Sequence, residues 1–418
     1  MKKSSIALAA LLLVMGTASV TSISTAYAQE KKDPAKQEVI RNEWSKPYTE
    51  IQKLIGDKQY AEAMTKIEAL NAFENKTAYE KFFLSRTRAV VASGTGDNML
   101  LAKCFEEMID SEFMPPAEKV KYTEAIAGIL FNDKKYAESL VWTKRALEFN
   151  KDNVLMQDLL ARNYYLQDDF PNTITEVKKQ IDGDIAAKRV PSVDRLRILH
   201  GAYAKTKNLE GVTAALELLV TYHANREYWA DLLYRLPNNK SFSDRLRLDW
   251  YRLLLKTGNL EEDTQFMEMA EIAMLAGLPL EAKEVMEVGF KAGVLGKGKN
   301  AAKHKPLLDK ATKQAADDAK SLDAGETAAK AGKTGLGMVN MGYNFVIHGQ
   351  VERGIALIEA GIAKGGLKQP EEAKLHLGMA YLVAGNRAKA EEVLKAVSGT
   401  DGSGDLARYW LLYKQPAM

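Results

Sequence analysis

The sequence predicts an all-α chain, a solenoid of helix pairs, and three observations carry that expectation. Apolar and small residues recur with helical period from about residue 44 to the end, glycine turns interrupt them, and the interrupted unit repeats. No segment alternates apolar and polar residues as a half-buried strand would.

The unit is plainest in "EEAKLHLGMAYLVAGNRAKAEEVLKAV", residues 371–397. Small Gly378 and Ala390 let two antiparallel helices approach, while Leu377, Tyr381 and Leu394 fill the space between them. Gly385-Asn386 makes the turn, because glycine accepts the left-handed backbone that closes a helix. The frame recurs 36 residues earlier, where Gly342, Phe345 and Gly349 stand for Gly378, Tyr381 and Gly385. Further upstream come Ala270, Ala273, Gly277, Ala282 and Met286, then Leu199, Tyr203 and Leu216. Tyr164, Phe170 and Thr173 form another match, as do Tyr136 with Ala146 and Tyr60 with Ala63 and Ile67. One match means little, since any amphipathic pair has this period. A series at intervals of 31–43 residues, with room for only short loops, defines a repeat.

Two stretches depart from it. Residues 1–28 have the three parts of a secretory signal: Lys2 and Lys3, an apolar run from Ile6 to Met15, and "AYA" before a cut after Ala28. The apolar run is too short for a membrane span, which needs about 20 residues, so the mature chain is expected to be exported with no span. Residues 297–335 are rich in Lys and Ala and poor in large apolar side chains. Pro306 to Leu322 reads as one helix with Leu307, Leu308, Ala311 and Ala315 on a shared face, and 323–335 as a short helix or mobile connector. The expected organisation is a signal peptide (1–28), a flexible tail (29–43), a solenoid (44–296), a degenerate repeat or connector (297–335) and C-terminal repeats (336–418).

Composition excludes several classes. Removing Lys2 and Lys3 from 58 basic and 55 acidic residues leaves a net charge of +1, so nucleic acid is not an expected partner. The only cysteine, Cys104, lies on an apolar helical face and reads as a small core hydrophobe. Two stretches imitate a phosphate loop, "GVLGKGKN" (293–300) and "AAKAGKTG" (328–335). The first has Asn300 where a magnesium-binding hydroxyl belongs; the second has Thr327 where the first glycine belongs. Neither follows a strand, so neither is expected to bind nucleotide. Gly293 and Gly296 read instead as a helix stop. The five histidines, His200, His223, His304, His348 and His376, are scattered and none has a second ligand at metal spacing. His200 reads as a core or turn residue. Asp168-Asp169, Asp317-Asp318 and Glu371-Glu372 are expected at turns or helix starts, where acids favour the dipole. No cofactor, metal or catalytic residue is expected, and the chain does not read as an enzyme.

The repeats resemble tetratricopeptide repeats, which implies a right-handed α-solenoid that binds protein partners. "YHANREYWADLLYRL" (222–236), "AGLPLEAKEVMEVGFKAGVLGKG" (276–298) and "IAKGGLKQPEEAKLHLGMAYL" (362–382) resemble periplasmic tetratricopeptide proteins associated with TonB energy-transduction systems in Gram-negative bacteria. That resemblance implies a periplasmic interaction scaffold, an accessory of TonB-dependent transport. A periplasmic assembly factor, or an accessory of polysaccharide or secretion export, is the alternative. In such proteins the first helix of each pair lines the concave groove. Carried over, Asp158, Arg162 and Tyr165 would face inward, as would Arg197, Gly201 and Lys205. Arg162, Tyr165, Arg197 and Lys205 are therefore the candidate partner-binding residues, with Met267, Met274, Val339 and Tyr343 as an apolar second choice.

Overall fold

The computed structural model describes residues 39–414, so the signal segment and residues 29–38 of the expected tail lie outside it. The described residues hold twenty α-helices and no strand. They belong to two compact units, one ending at Ala187 and one starting at Lys188.

The first unit is four helix hairpins in chain order: α1 (Ser45–Gly56) with α2 (Tyr60–Asn71), α3 (Ala78–Thr95) with α4 (Asn98–Ile109), α5 (Pro116–Asn132) with α6 (Tyr136–Phe149), and α7 (Val154–Leu166) with α8 (Phe170–Ala186). Each hairpin packs on the next. The expected tail's last residues are anchored, since the Arg41 side chain donates twice to Glu80 of α3, at 2.8 and 2.7 Å, and Trp44, just after the tail, is fully buried.

The second unit begins with the hairpin α9 (Val193–Lys205) and α10 (Leu209–His223). Two short helices follow, α11 (Arg226–Arg235) and α12 (Arg247–Lys256), then the hairpin α13 (Asp263–Leu275) and α14 (Pro279–Lys291). A single 31-residue helix, α15 (Ala301–Ala331), separates it from α16 (Leu336–Ile347) with α17 (Val351–Lys364) and α18 (Pro370–Val383) with α19 (Arg387–Lys395). Helix α20 (Ser403–Leu412) ends the unit.

One turn closes all eight hairpins. A residue with positive φ (Lys58, Gly96, Lys134, Asp168, Lys207, Gly277, Gly349, Gly385) is followed by one whose N–H reaches the carbonyl five residues back. Those bonds span 2.8–3.0 Å, from Gln59 N–H to Leu54 through to Asn386 N–H to Tyr381. This is the left-handed closure that satisfies orphan helix carbonyls. Half of these positions are not glycine, which is why glycine alone underestimates the repeat. The hairpin turns recur every 34–39 residues, except for gaps of 70 before Gly277 and 72 before Gly349; the same closure also ends α12 at Gly258 and α14 at Gly293. Each gap is two intervals long. The pair α11–α12 and the lone helix α15 thus each occupy the chain length of one hairpin, and the repeat keeps its phase across both.

The expected connector at 323–331 is the last third of α15. Alanine and lysine are strong helix formers, and Leu322, Glu326 and Ala329 lie against α16 or α17: Leu322 and Ala329 share a core with Met338, Phe345 and Leu357, and Glu326 pairs with Arg353. Asp317 and Asp318 are therefore mid-helix rather than at a turn. Asp318 accepts from Asn344 and lies 2.9 Å from His348 Nε2.

Candidate functional site

The second unit closes on itself. Helix α20 packs on α18 and α19, its neighbours in sequence, and also on α10 and α12. Charged side chains staple this closure. Arg245, just before α12, pairs with Glu372 of α18 and with Asp401. Ser243 N–H donates to the Asp401 carbonyl at 2.9 Å, and Phe242 covers Gly402, whose φ of +102° suits only glycine. Arg408 of α20 reaches Glu217 of α10 at 3.4 Å. His376 Nε2 of α18 lies 3.1 Å from Asp249 of α12.

Asp249 belongs to a buried network. The Arg252 guanidinium, 6% exposed, pairs at 2.6 Å with both Asp249 and Glu281 and lies 4.6 Å from the Tyr343 ring centre. Burial pushes the Asp249 carboxyl up, but His376 and Arg252 outweigh it and hold it down at about 2. Burial pulls Arg252 down, yet Glu281, Tyr343 and Asp249 hold it well above its ordinary value. The network ties α12, α14, α16 and α18 together, so four helices share one charge cluster.

Beside the closure lies an open cleft of about 890 Å³. Leu209, Thr213 and Glu217 of α10 form one wall, and Asp405, Arg408 and Tyr409 of α20 another. Arg235, Leu236 and Lys240, at and after the end of α11, form the third. Leu236 and Tyr409 are buried in the floor, while Leu209 is 72% exposed at the rim. Burial raises the Glu217 carboxyl above its usual range, with Arg408 opposing that shift. Arg408 also pairs with Asp405, and Arg235 with Asp231, whereas Lys240 is exposed with no ion pair among the described residues. The arrangement is an apolar floor in a rim of both signs, which suits a polypeptide segment better than a single ion. The first unit has its own smaller cleft of about 690 Å³ on α4, α5 and α6, floored by Ile126, Leu130 and Trp142.

No protein-family model matches this chain, and no curated protein does. Among solved structures it is similar to the C-terminal part of a tetratricopeptide (TPR) repeat-containing protein from Cytophaga hutchinsonii, at 16% identity over 62% of this chain and 98% of that one, TM-score 0.31. It is also similar to Naa15/Naa10 bound to HypK-THB, at 14% identity over 87% of this chain and 64% of that one, TM-score 0.32. A third is the TPR domain of P58(IPK), at 14% identity over 88% of this chain and 96% of that one, TM-score 0.21. At such identities and TM-scores these likenesses carry no argument; the helix-pair solenoid stands on its repeated turns and sequential packing.

The candidate partner-binding residues fall in different units. Arg162 and Tyr165 are half-buried on α7, with Tyr165 edge-on to Phe170 at 5.7 Å. Arg197 and Lys205 are exposed on α9 and make no ion pair among the described residues. Of the apolar second choice, Val339 and Tyr343 are buried in the core, the latter beneath Arg252, and cannot form a free face. The cleft opens on α10 instead, the second helix of its pair. None of its residues was singled out from the sequence; the large apolar Leu209 at the start of α10 is the one local feature that stands out, and only once its exposure is known. Its partners in the cleft lie up to 200 positions away.

The glycine stretches have structural roles. At 293–298, Val294 and Leu295 N–H close α14 onto the Gly289 carbonyl, and Leu295 is buried over Gly289. Gly296 N–H donates to His304 Nδ1, which puts the neutral ring's proton on Nε2, facing Asp263 at 3.5 Å. Asn300 donates to the same carboxylate at 3.2 Å. The loop thus already holds an anion of its own chain. At 328–335, Lys364 caps the end of α15 by donating to the Lys330 and Gly332 carbonyls. His200, half-buried with its pKa lowered by burial against the pull of Asp231, is a packing residue as expected. Cys104 is fully buried, and burial pushes its thiol up to about 11.

Proposed function

We propose that this chain is an exported periplasmic scaffold that holds a segment of a partner protein, and that it serves a TonB-dependent transport system. The cleft between α10, α11 and α20 supports the scaffold reading. An open site of about 890 Å³ with an apolar floor and charged rim has the size and lining of a ligand pocket. It is framed by helices locked through ion pairs, so little conformational freedom would be lost on binding. The TonB association rests on the sequence resemblance, and export on the tripartite start of the chain.

Cross-linking in the periplasm, followed by affinity capture and mass spectrometry, tests all three parts. The mature N-terminus should be Gln29, and TonB-system proteins should be captured. Leu209→Glu and Lys240→Glu should reduce capture, while Leu275→Glu, at a position 88% exposed on α13, should not. Recovery of export machinery in place of TonB-system proteins would support the polysaccharide or secretion alternative. Equal capture by all three variants would move the binding surface away from this cleft.

A further inference from the structure

Between Lys297 and Lys313 the chain places six lysines against one aspartate, Asp309. The whole chain carries +3, so without these seventeen residues the rest would be at −2. All six lysines are exposed. Only Lys305 has an ion pair among the described residues, with Asp309. The acids at the border are engaged: Glu261 with Arg226, and Asp263 with Asn300.

Helix α15 explains the geometry. It buries His304, Ala311, Ala315 and Leu322 on one side. At 100° per residue, Lys310 and Lys313 then fall on the opposite, solvent side, with Lys303 and Lys305 at its two edges. No large apolar residue is exposed on that side between 297 and 313. The placement also opposes local helix electrostatics. The first turn of α15 has no acidic residue, and four lysines crowd its positive end, where cations are destabilising. A feature that violates a local rule without a structural gain points to function.

The residue type selects the partner. This chain uses arginine for its long-range buried and half-buried pairs, as at Arg245, Arg252 and Arg353, whereas nearly all its lysine pairs among the described residues join residues three or four apart. Arginine's planar fork suits stereospecific carboxylate or phosphate contacts, whereas lysine acts as a compact, mobile charge. A face with six lysines, no arginine and no apolar anchor lacks the core of a protein interface. It matches a diffuse negative surface.

We propose that the Lys297–Lys313 face docks on an anionic lipid bilayer, so that the chain rides at a membrane surface without inserting. Each lysine brought within a Debye length of such a surface multiplies binding by about fivefold. The full chain should therefore sediment with vesicles of equimolar phosphatidylcholine and phosphatidylglycerol, and not with phosphatidylcholine alone. Added salt should release it. Changing Lys299, Lys303, Lys310 and Lys313 together to Gln should weaken binding at least about a hundredfold. The double variant Lys303→Gln/Lys310→Gln should weaken it about 25-fold. Changing Lys53, Lys81, Lys121 and Lys178 to Gln removes the same net charge from exposed positions elsewhere and should leave binding nearly intact. Melting curves should show all three variants folded. No binding to anionic vesicles, or equal losses in the two quadruple variants, would overturn the proposal. So would capture of polyglutamate through these lysines by a chain that ignores vesicles; the partner would then be an acidic protein.

Discussion

Arg252 places a full charge inside the second unit, and its surroundings make it costly to remove. Arg252→Leu leaves Asp249 and Glu281 without their shared partner, and breaking a buried pair from one side typically costs about 3–5 kcal/mol. Denaturant unfolding should show that loss, while Arg252→Leu combined with Asp249→Asn and Glu281→Gln should recover part of it. A single variant as stable as the parent would mean that the network is incidental. Acid probes the same kind of pair. Arg41 holds Glu80 down at about 2, with backbone N–H groups of Thr77 and Arg41 helping against burial. Burial pushes Asp401 up, but Ser403 and Arg245 bring it to about 2. Both carboxyls are depressed below the unfolded value of about 4. Their contribution is therefore complete above about pH 4 and is lost as pH falls towards about 2. Melting temperature should decline through that window, and Arg245→Gln, by letting Asp401 rise back towards its unfolded value, should make the decline smaller. A flat melting temperature down to about pH 2 would contradict the assignment. At this scale the sequence was partly legible. Cys104 was readable because burial follows helical period. The acid doublets were legible in part: Asp168-Asp169 and Glu371-Glu372 stand at a turn and a helix start as expected, but Asp318 and Glu372 find their partners 26 to 127 residues away, which no local signal encodes.

Among helices, the closest approach is α16 on α17. A methyl group added at Gly354 would overlap the Gly342 carbonyl and lie 2.9 Å from Val346 N; one added at Gly342 would lie 2.7 Å from the Gly354 carbonyl. Backbone meets backbone there, and neither side can turn away. At Gly378, by contrast, an added methyl meets only the Leu394 side chain. Glycine to alanine in a helix gains about 1 kcal/mol of propensity, against an overpacking cost of about 1–3 kcal/mol. Gly354→Ala should thus destabilise, Gly378→Ala should be close to neutral, and Gly378→Leu should cost about 1–3 kcal/mol. Thermal melts of the three variants check the order, and Gly354→Ala as stable as Gly378→Ala would refute it. The hairpins were legible at this scale because their signals are local: small residues at the crossing and a left-handed turn. Helix α15 was legible only to Leu322, where its apolar stripe ends and propensity with a few ion pairs carries it on.

Over the whole chain, a solenoid in which each repeat touches only its neighbours would confine damage to the repeat that is struck. The second unit is not of that kind. Arg245 joins the approach to α12 with Glu372 and Asp401, 127 and 156 residues later, and Arg408 returns α20 to Glu217 across 191 residues. No repeat motif encodes these contacts, since they arise from where the stack happens to meet itself. That is why the sequence could foretell the hairpins but not the closure or the cleft beside it. The closure makes a distinctive prediction. Arg245→Ala removes both long-range pairs at once without touching a repeat crossing. Hydrogen exchange should then quicken in α10 and α12 as well as in α18 and α20, because opening one side of the staple frees the other. Added salt should produce a weaker version of the same pattern in the parent, as screening would for half-exposed pairs. Exchange that quickens in α18 and α20 alone would show that the unit behaves as an open stack. In that case the cleft would lose its α20 wall in solution, and Leu209 would lie on an unframed helix.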